Sequence, residues 1–495
     1  MRAPVFLYDL PLNPDETQML AQGLTLTIDP LLYRSVDPTT SGPINSYLLY
    51  LLSIMGFKLS FHLAHVLSWG LTMFALVFYY KALRYFRFGI VAQLALIPAV
   101  AFVSFIQEIN YVHYYSESVA ILLLSLNVYF IARWTHQKTF SYAELITSGA
   151  ALALVVLCKI QALPLAFVLG VWSLVLLFLF QRQKLFLNAG VLVLTIVSVW
   201  GGWLLYLWHN GVLEDFFFYY IKANAQLKIR FSDNSYRSPF YLLIRFPLIF
   251  AILGKGIKYL VVPLVILAGA FLFKNRAKLA FLKILKIDSY FWFILLGYSV
   301  AVIATLIRTG SFYAHHFTYF MLPFCLFTGL FLSQLTHVWR WAILSTQLIF
   351  AVISVEHLVT NSSINLYETA RSKQQKMSPV ARAILKYANP GEYLVVWGWE
   401  CAYYVETQMP QGVNENHSVR SAMAHPFQAT YYRRYVSDIK RTRPKVFVDA
   451  ITAQTLWMND PAKYGHQNYP ELARYIAQNY ELKEVIEGVK IYAWK

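Results

Sequence analysis

Two kinds of residue in this chain could do chemistry at a surface: carboxylates placed beside apolar runs, and cations placed opposite them. Asp15 and Glu16 stand together in the polar stretch 13–46, with Asp29 and Asp37 further on, just ahead of a long series of apolar segments. Such a pair is either a solvated acidic loop or a general base held over a membrane-bound substrate. Glu108, His113 and Glu117 lie in the turn QEINYVHYYSES and at the head of the apolar run 119–132. Ionisable groups at membrane depth are costly and so point to function; Glu117 could supplement Asp15 or hold a metal ion, although no oxygen-ligand spacing marks such a site.

Lys159 ends the segment LVVLCKIQALP, where a lysine either snorkels or offers phosphate a point charge on a flexible stem. Arg308 and the pair His315/His316 occupy IRTGSFYAHHFTYFMLP. Adjacent histidines do not share a helix face, which argues against a two-histidine metal site; one of them could bind phosphate or a hydroxyl. There is no CxxC, HExxH or Gly-rich phosphate loop, and the three cysteines form no disulfide framework.

The elements that must position these residues are membrane spans. The 495 residues are 58% hydrophobic and 14% charged, with mean hydropathy +0.47, against about 45–50% apolar and about 25% charged in soluble domains. The net charge of +17 is better assigned to basic cytoplasmic loops than to nucleic acid, which is not expected as a partner. MRAPVFLYDLPLNPDE lacks the apolar core of a cleavable signal peptide. Residues 43–57 read as an interfacial helix led by Pro43. Spans of ~20 apolar residues follow near 59–80, 89–106, 116–132, 142–157, 163–180, 186–208, 257–273, 289–307, 316–334 and 341–357.

Basic residues fall after alternate spans: Lys81/Arg84/Arg87, Arg133/Lys138, Arg182/Lys184, the cluster Lys274–Lys286, and Arg340. That side is cytoplasmic by the positive-inside rule. The Asp15 loop, the turn 107–115, the loop 209–256 and everything after 358 are then external. The loop 209–256 and its edge carry Lys222, Lys228, Arg230, Arg237, Arg245, Lys255 and Lys258, against the charge trend; surface exposure explains some of them, and an anionic ligand is the functional alternative. After 358 the polar composition, with the runs EYLVVWGW, PKVFVDAI and KIYAWK as strands and MSPVARAILKYA and YPELARYIAQNY as helices, gives a small α/β domain. The expected division is 1–58 (acidic loop and interfacial helix), 59–357 (about ten transmembrane helices) and 358–495 (external α/β domain).

Together, PDETQMLAQGL followed by SGPINSYLLYLLS, HYYSESVAILLLSL with Glu117, LCKIQALP with Lys159, AHHFTYFMLP, and the tail VVWGW with RPKVFVDA resemble the GT-C glycosyltransferases that use polyprenyl-phosphate sugars. The resemblance is to the protein mannosyltransferase and aminoarabinose transferase type. It implies a GT-C-like polytopic helical fold and an inverting sugar transfer from a polyprenyl-phosphate carrier to a lipid, glycan or protein acceptor on the non-cytoplasmic face. It implies Asp15 as base, with Glu16 and Glu117 as further carboxylates. Lys159, Arg230 and Arg308 become candidates for phosphate, with His113, His315 and His316 also substrate-binding. No cofactor is implied, a divalent cation being left open. A bacterial inner membrane is the expected location. The rival readings are a transporter or flippase of a lipid-linked saccharide, and an inactive glycan-binding relative. Family members usually carry a helix before the acidic loop. Here the loop looks tethered only on its C-terminal side, so an apolar stretch of ~20 residues is expected upstream.

Overall fold

The computed structural model describes residues 6, 9–86, 89–106, 109–226, 240–246, 258–274, 289–309, 313–334, 337–360 and 377–495. Each of the ten expected spans is a helix. In chain order, after α1 (Pro14–Leu26) and α2 (Pro43–Ile54), they are α3 (Phe61–Tyr85), α4 (Val91–Phe105), α5 (Glu117–Gln137), α6 (Tyr142–Cys158), α7 (Leu163–Phe180), α8 (Leu185–His209), α9 (Lys258–Lys274), α10 (Ser289–Thr309), α11 (Met321–Gln334) and α12 (His337–Thr360). Six helical stretches among the described residues are long and apolar enough to cross a membrane. Two of the others, α4 and α6, have 15 and 17 residues; at about 1.5 Å per residue they fall short of a hydrocarbon core about 30 Å thick.

The chain forms two compact units. The first comprises Met1–Leu7, Leu67–Gly202 and Tyr236–Ser372. Within it, the stretch Ala314–Ser333 is 83% buried and Glu117–Gln137 is 72% buried, which makes these the inner helices. Gly149 on α6 sits where an added Cβ would meet the Leu192 carbonyl at 2.8 Å, so α6 and α8 approach backbone to backbone only because that residue is glycine.

The second unit comprises Tyr8–Val66, Trp203–Ser235 and Lys373–Lys495. Its sheet has strands β1 (Leu394–Trp397), β2 (Val446–Asp449), β3 (Tyr480–Ile486) and β4 (Val489–Trp494) in the order β1-β2-β4-β3. β1 and β2 are parallel, Leu394 facing Val446, and both are buried along their whole length, as a strand covered on both faces must be. β4 pairs antiparallel with β2 and with β3. The β3–β4 turn is the two-residue Glu487-Gly488, both at positive φ, the conformation that matches the strand twist in a tight hairpin. The sequence reading missed β3. Half of ELKEVI is charged because that strand's outer positions face water. It also missed the helix Gln428–Thr442, whose buried Tyr431, Tyr435, Val436 and Ile439 follow helical spacing inside a very polar segment.

The acidic stretch belongs to this second unit, and it is held along its length. Gln411 N–H donates to Thr25 Oγ1 at 2.9 Å, Asn416 Nδ2 to the Gln18 carbonyl at 2.9 Å, and Asp37 N–H to the Asn414 carbonyl at 2.8 Å. Arg420 Nη1 lies 3.4 Å from Asp37 Oδ2 and donates to the Tyr431 hydroxyl at 2.6 Å. Burial pushes the Asp37 carboxyl above its ordinary range, against the lowering effect of Arg420. The expectation of a loop tethered on one side only is therefore corrected. Polar groups from residues 411–420, nearly four hundred positions away, hold it.

One group in this unit makes its stability depend on pH. Burial, and secondly the Glu406 carboxylate, pushes Glu400 up to about 7. A carboxyl with a folded pKa above its unfolded value of about 4.3 binds its proton more tightly when folded. Its contribution is complete below that unfolded value and is lost as pH rises through the folded one. Glu400→Gln should therefore raise the melting temperature at pH 8, by the equivalent of roughly 3 kcal/mol, and leave it unchanged at pH 4. Melting curves of the detergent-solubilised chain at both pH values check this; equal shifts at the two would contradict it.

Candidate functional site

In the first unit, four of the sequence candidates converge on Glu117. This residue opens α5, where a carboxylate gains from the helix dipole, and its side chain is fully buried. Lys159 follows the last turn of α6 in an extended conformation, φ −156°, before the short 3-10 turn Ile160–Ala162. That break aims its stem inward. Lys159 Nζ is 3.1 Å from Glu117 Oε1 and donates to Ser116 Oγ at 2.6 Å. Ser116 Oγ in turn donates to Glu117 Oε2 at 3.2 Å. His316 Nε2 lies 3.2 Å from Oε1, and His315 Nε2 lies 3.8 Å from Oε2. A lysine at only 4% exposure is not snorkelling; it is the counter-ion of a buried carboxylate.

The argument from adjacency about the two histidines does not hold. His315 and His316 sit on a 3-10 turn, Ala314–Phe320, ahead of α11. Successive residues there point about 120° apart, and a carboxylate has two oxygens, so each imidazole takes one. Their ring centroids are 4.7 Å apart at 86°. Tyr313 stacks on His315 at 5.7 Å and meets His316 edge-on. His113 completes the group: its Nδ1 bonds the Ile109 carbonyl at 2.8 Å, and its ring stands 5.8 Å from that of His315. His113 Nε2 and His315 Nδ1 are buried with no hydrogen-bond partner among the described residues. Both are open to a ligand.

Donor atoms of Glu117, His315 and His316 all lie within 4.8 Å of one another. A His2Glu set suits a divalent cation such as zinc, with a fourth position open to water or substrate. Lys159 already supplies positive charge to the same carboxylate, so a bound cation would compete with it. Sequence reasoning missed Ser116, Tyr313 and Tyr115, whose ring stacks on His315 at 6.2 Å. The only available signal was the Ser before Glu117 in SES; nothing in the spacing connects residues 116, 159 and 313.

Asp15 and Glu16 lie in the second unit and differ sharply. Glu16 is fully buried and spoken for. Its Oε1 accepts from the Leu12 N–H at 2.5 Å, closing a capping box with Asn13, and its Oε2 is 3.0 Å from His65 Nε2. Asp15 is half-buried in the first turn of α1 and forms no ion pair among the described residues. Arg230 and the Arg308 side chain lie outside the described residues.

The Glu117–Lys159 pair should behave as one unit. Lys159→Met strands a buried carboxylate and should cost roughly 3–5 kcal/mol. Glu117→Gln with Lys159→Met should cost less than the sum of the single changes. Thermal melting of the three variants checks this, and strict additivity would mean the two groups are not coupled.

No family profile matches the chain, and no curated protein matches it. A solved structure does: the crystal structure of ArnT from Cupriavidus metallidurans bound to undecaprenyl phosphate. It matches 99% of this chain and 95% of its own, with a TM-score of 0.61 and 13% sequence identity. At that identity the likeness is one of fold. The chain thus has the expected fold, a polytopic helical membrane protein with a small mixed sheet at its C-terminal end, similar to that of ArnT.

Proposed function

We propose that the protein is an inverting glycosyltransferase. It moves a sugar from a polyprenyl-phosphate carrier to an acceptor on the non-cytoplasmic face, with Asp15 as base. The observation that carries this is the likeness of fold, over nearly the whole chain, to a protein solved with undecaprenyl phosphate. Fold alone does not fix function; the side chains add to it. Phosphate is already a good leaving group, so no general acid is needed. The acceptor oxygen forms its bond to the anomeric carbon as the bond from that carbon to the phosphate oxygen breaks. The acceptor proton passes to the Asp15 carboxylate, and cations stabilise the departing phosphate.

Among the two carboxylates of the acidic pair, Asp15 suits the base. Glu16 is committed to capping its helix and to His65. Lys159 suits phosphate, with Arg230 and Arg308 as further cations. In its resting arrangement Lys159 holds Glu117 and Ser116, so phosphate would have to draw it away or share it. His113 and His315 keep ring nitrogens for substrate. Glu117 acts by holding these groups rather than as a second base. The division into an acidic entry segment 1–58, a membrane region 59–357 and an external domain 358–495 belongs to this reading, as does a bacterial inner membrane.

The direct test is an assay with polyprenyl-phosphate sugars and total membrane extract. Asp15→Asn should reduce turnover by ~10²–10⁴ while donor lipid still binds. Near-normal turnover would remove Asp15 from the role. No turnover by the parent, with labelled lipid-linked sugar crossing a bilayer, would favour the transporter.

Orientation has its own test. The three native cysteines are all buried, so they give little background with an impermeant thiol reagent. Thr139→Cys and Gln183→Cys, both exposed, should label only from the cytoplasmic side, and Glu471→Cys only from the other. Labelling of positions 139 and 471 from one side would overturn the arrangement.

A further inference from the structure

The second unit holds a group of polar atoms that its own residues leave unsatisfied. Trp399 Nε1 and Asn416 Oδ1 are buried, at 8% and 1% residue exposure, with no hydrogen-bond partner among the described residues, while the buried His417 Nδ1 lies 3.4 Å from Glu415 Oε1. Trp399 and His417 are in contact, rings stacked at 4.6 Å and 21°. Asn416 is next in the chain, and its Nδ2 is anchored to the Gln18 carbonyl. Each stranded polar atom costs about 1–3 kcal/mol. Two beside one imidazole call for an occupant.

Their place in the fold points the same way. β1 ends at Trp397, and Gly398, at φ +132°, turns the chain so tightly against Ala450 that an added Cβ would lie 3.2 Å from the Ala450 side chain. Trp399 and Glu400 come next. The segment after β2 brings Trp457, whose ring meets Trp399 at 4.6 Å. The three atoms thus lie just beyond the carboxyl ends of the two parallel strands, where open α/β sheets bind their ligands. Half-buried Glu400 follows Trp399 directly in the chain. Asp15 is one helical turn before Gln18, on the helix that packs against Ala402–Thr407.

A donor and an acceptor, set among aromatic rings, suit a ligand with hydroxyls on its rim and C–H groups on its faces. We infer that the carboxyl ends of β1 and β2 form a saccharide subsite, lined by Trp399, Asn416, His417 and Trp457. Given the transfer reading above, on which only this last step rests, the sugar is the acceptor. Its attacking hydroxyl is directed to Asp15, and the acceptor class is a glycan or glycolipid rather than a protein side chain. Retention of the sugar itself does not depend on transfer.

Saturation-transfer NMR on the full detergent-solubilised chain tests this, with the methyl glycosides of glucose, mannose, galactose and arabinose as probes. At least one should bind saturably. Trp399→Phe and His417→Phe keep a ring and remove the nitrogens, and each should weaken that binding about tenfold. Absence of binding by every glycoside, or parental affinity in both variants, would show that ordered water satisfies these atoms and would overturn the subsite. Should either variant fail to fold, hydrogen exchange on the parent decides: glycoside must slow amides 398–400 and 414–418, and slowing elsewhere alone overturns the assignment. The transfer reading fails separately, if glycosides bind here but no polyprenyl-phosphate sugar is ever turned over.

Discussion

A carboxylate at the head of an apolar helix has to be neutralised where it stands, and Glu117 is surrounded by the means of doing so. An ammonium, two imidazoles and a serine hydroxyl reach its two oxygens. In a medium of low dielectric, removing the Lys159 ammonium leaves the carboxylate without its counter-ion. This explains why α5, the α6–α7 break and the 3-10 turn before α11 meet where they do. A regular helix through Lys159 would point its stem along another face. The breaks in regular structure are the features that assemble the cluster.

Such a cluster carries more than stability. Its hydrogen bonds leave two histidine nitrogens unused, and its lysine is held by a carboxylate that a metal ion could equally hold. Buried ionic groups are an uneconomical way to stabilise a fold, since well-packed apolar residues usually do as well or better. The arrangement makes sense as a preorganised electrostatic site, in which charge is fixed before a charged ligand arrives.

The second unit solves a different problem, that of keeping an acidic segment in one conformation. A capping box fixes the start of α1, the Glu16–His65 pair fixes its first turn, and main-chain and side-chain bonds from residues 411–420 fix the rest. The base proposed at Asp15 has to be held to within about 0.5 Å. That precision comes from a domain encoded at the other end of the chain, so the C-terminal sheet is part of the support of the acidic segment.

The sequence by itself determined whatever depends on local pattern. Hydropathy placed all ten helical segments, because a span is a contiguous run of apolar residues, and composition separated them from the polar tail. The buried strands LVVW and VFVD and the Pro-led helix at residue 43 were legible for the same reason. Residue types alone singled out Glu117, Lys159 and the histidines, since charge is expensive among apolar neighbours. Tertiary structure decided which of them meet. Residues 117, 159, 315 and 316 are joined by no spacing rule, and the 3-10 turn that lets neighbouring histidines share one carboxylate has no sequence signal of its own. It also separated Glu16, engaged in capping, from the adjacent Asp15, and bound residues 18, 25 and 37 to residues 411–420. Contacts between segments hundreds of residues apart depend on how helices and sheet pack, and a one-dimensional pattern holds no record of that.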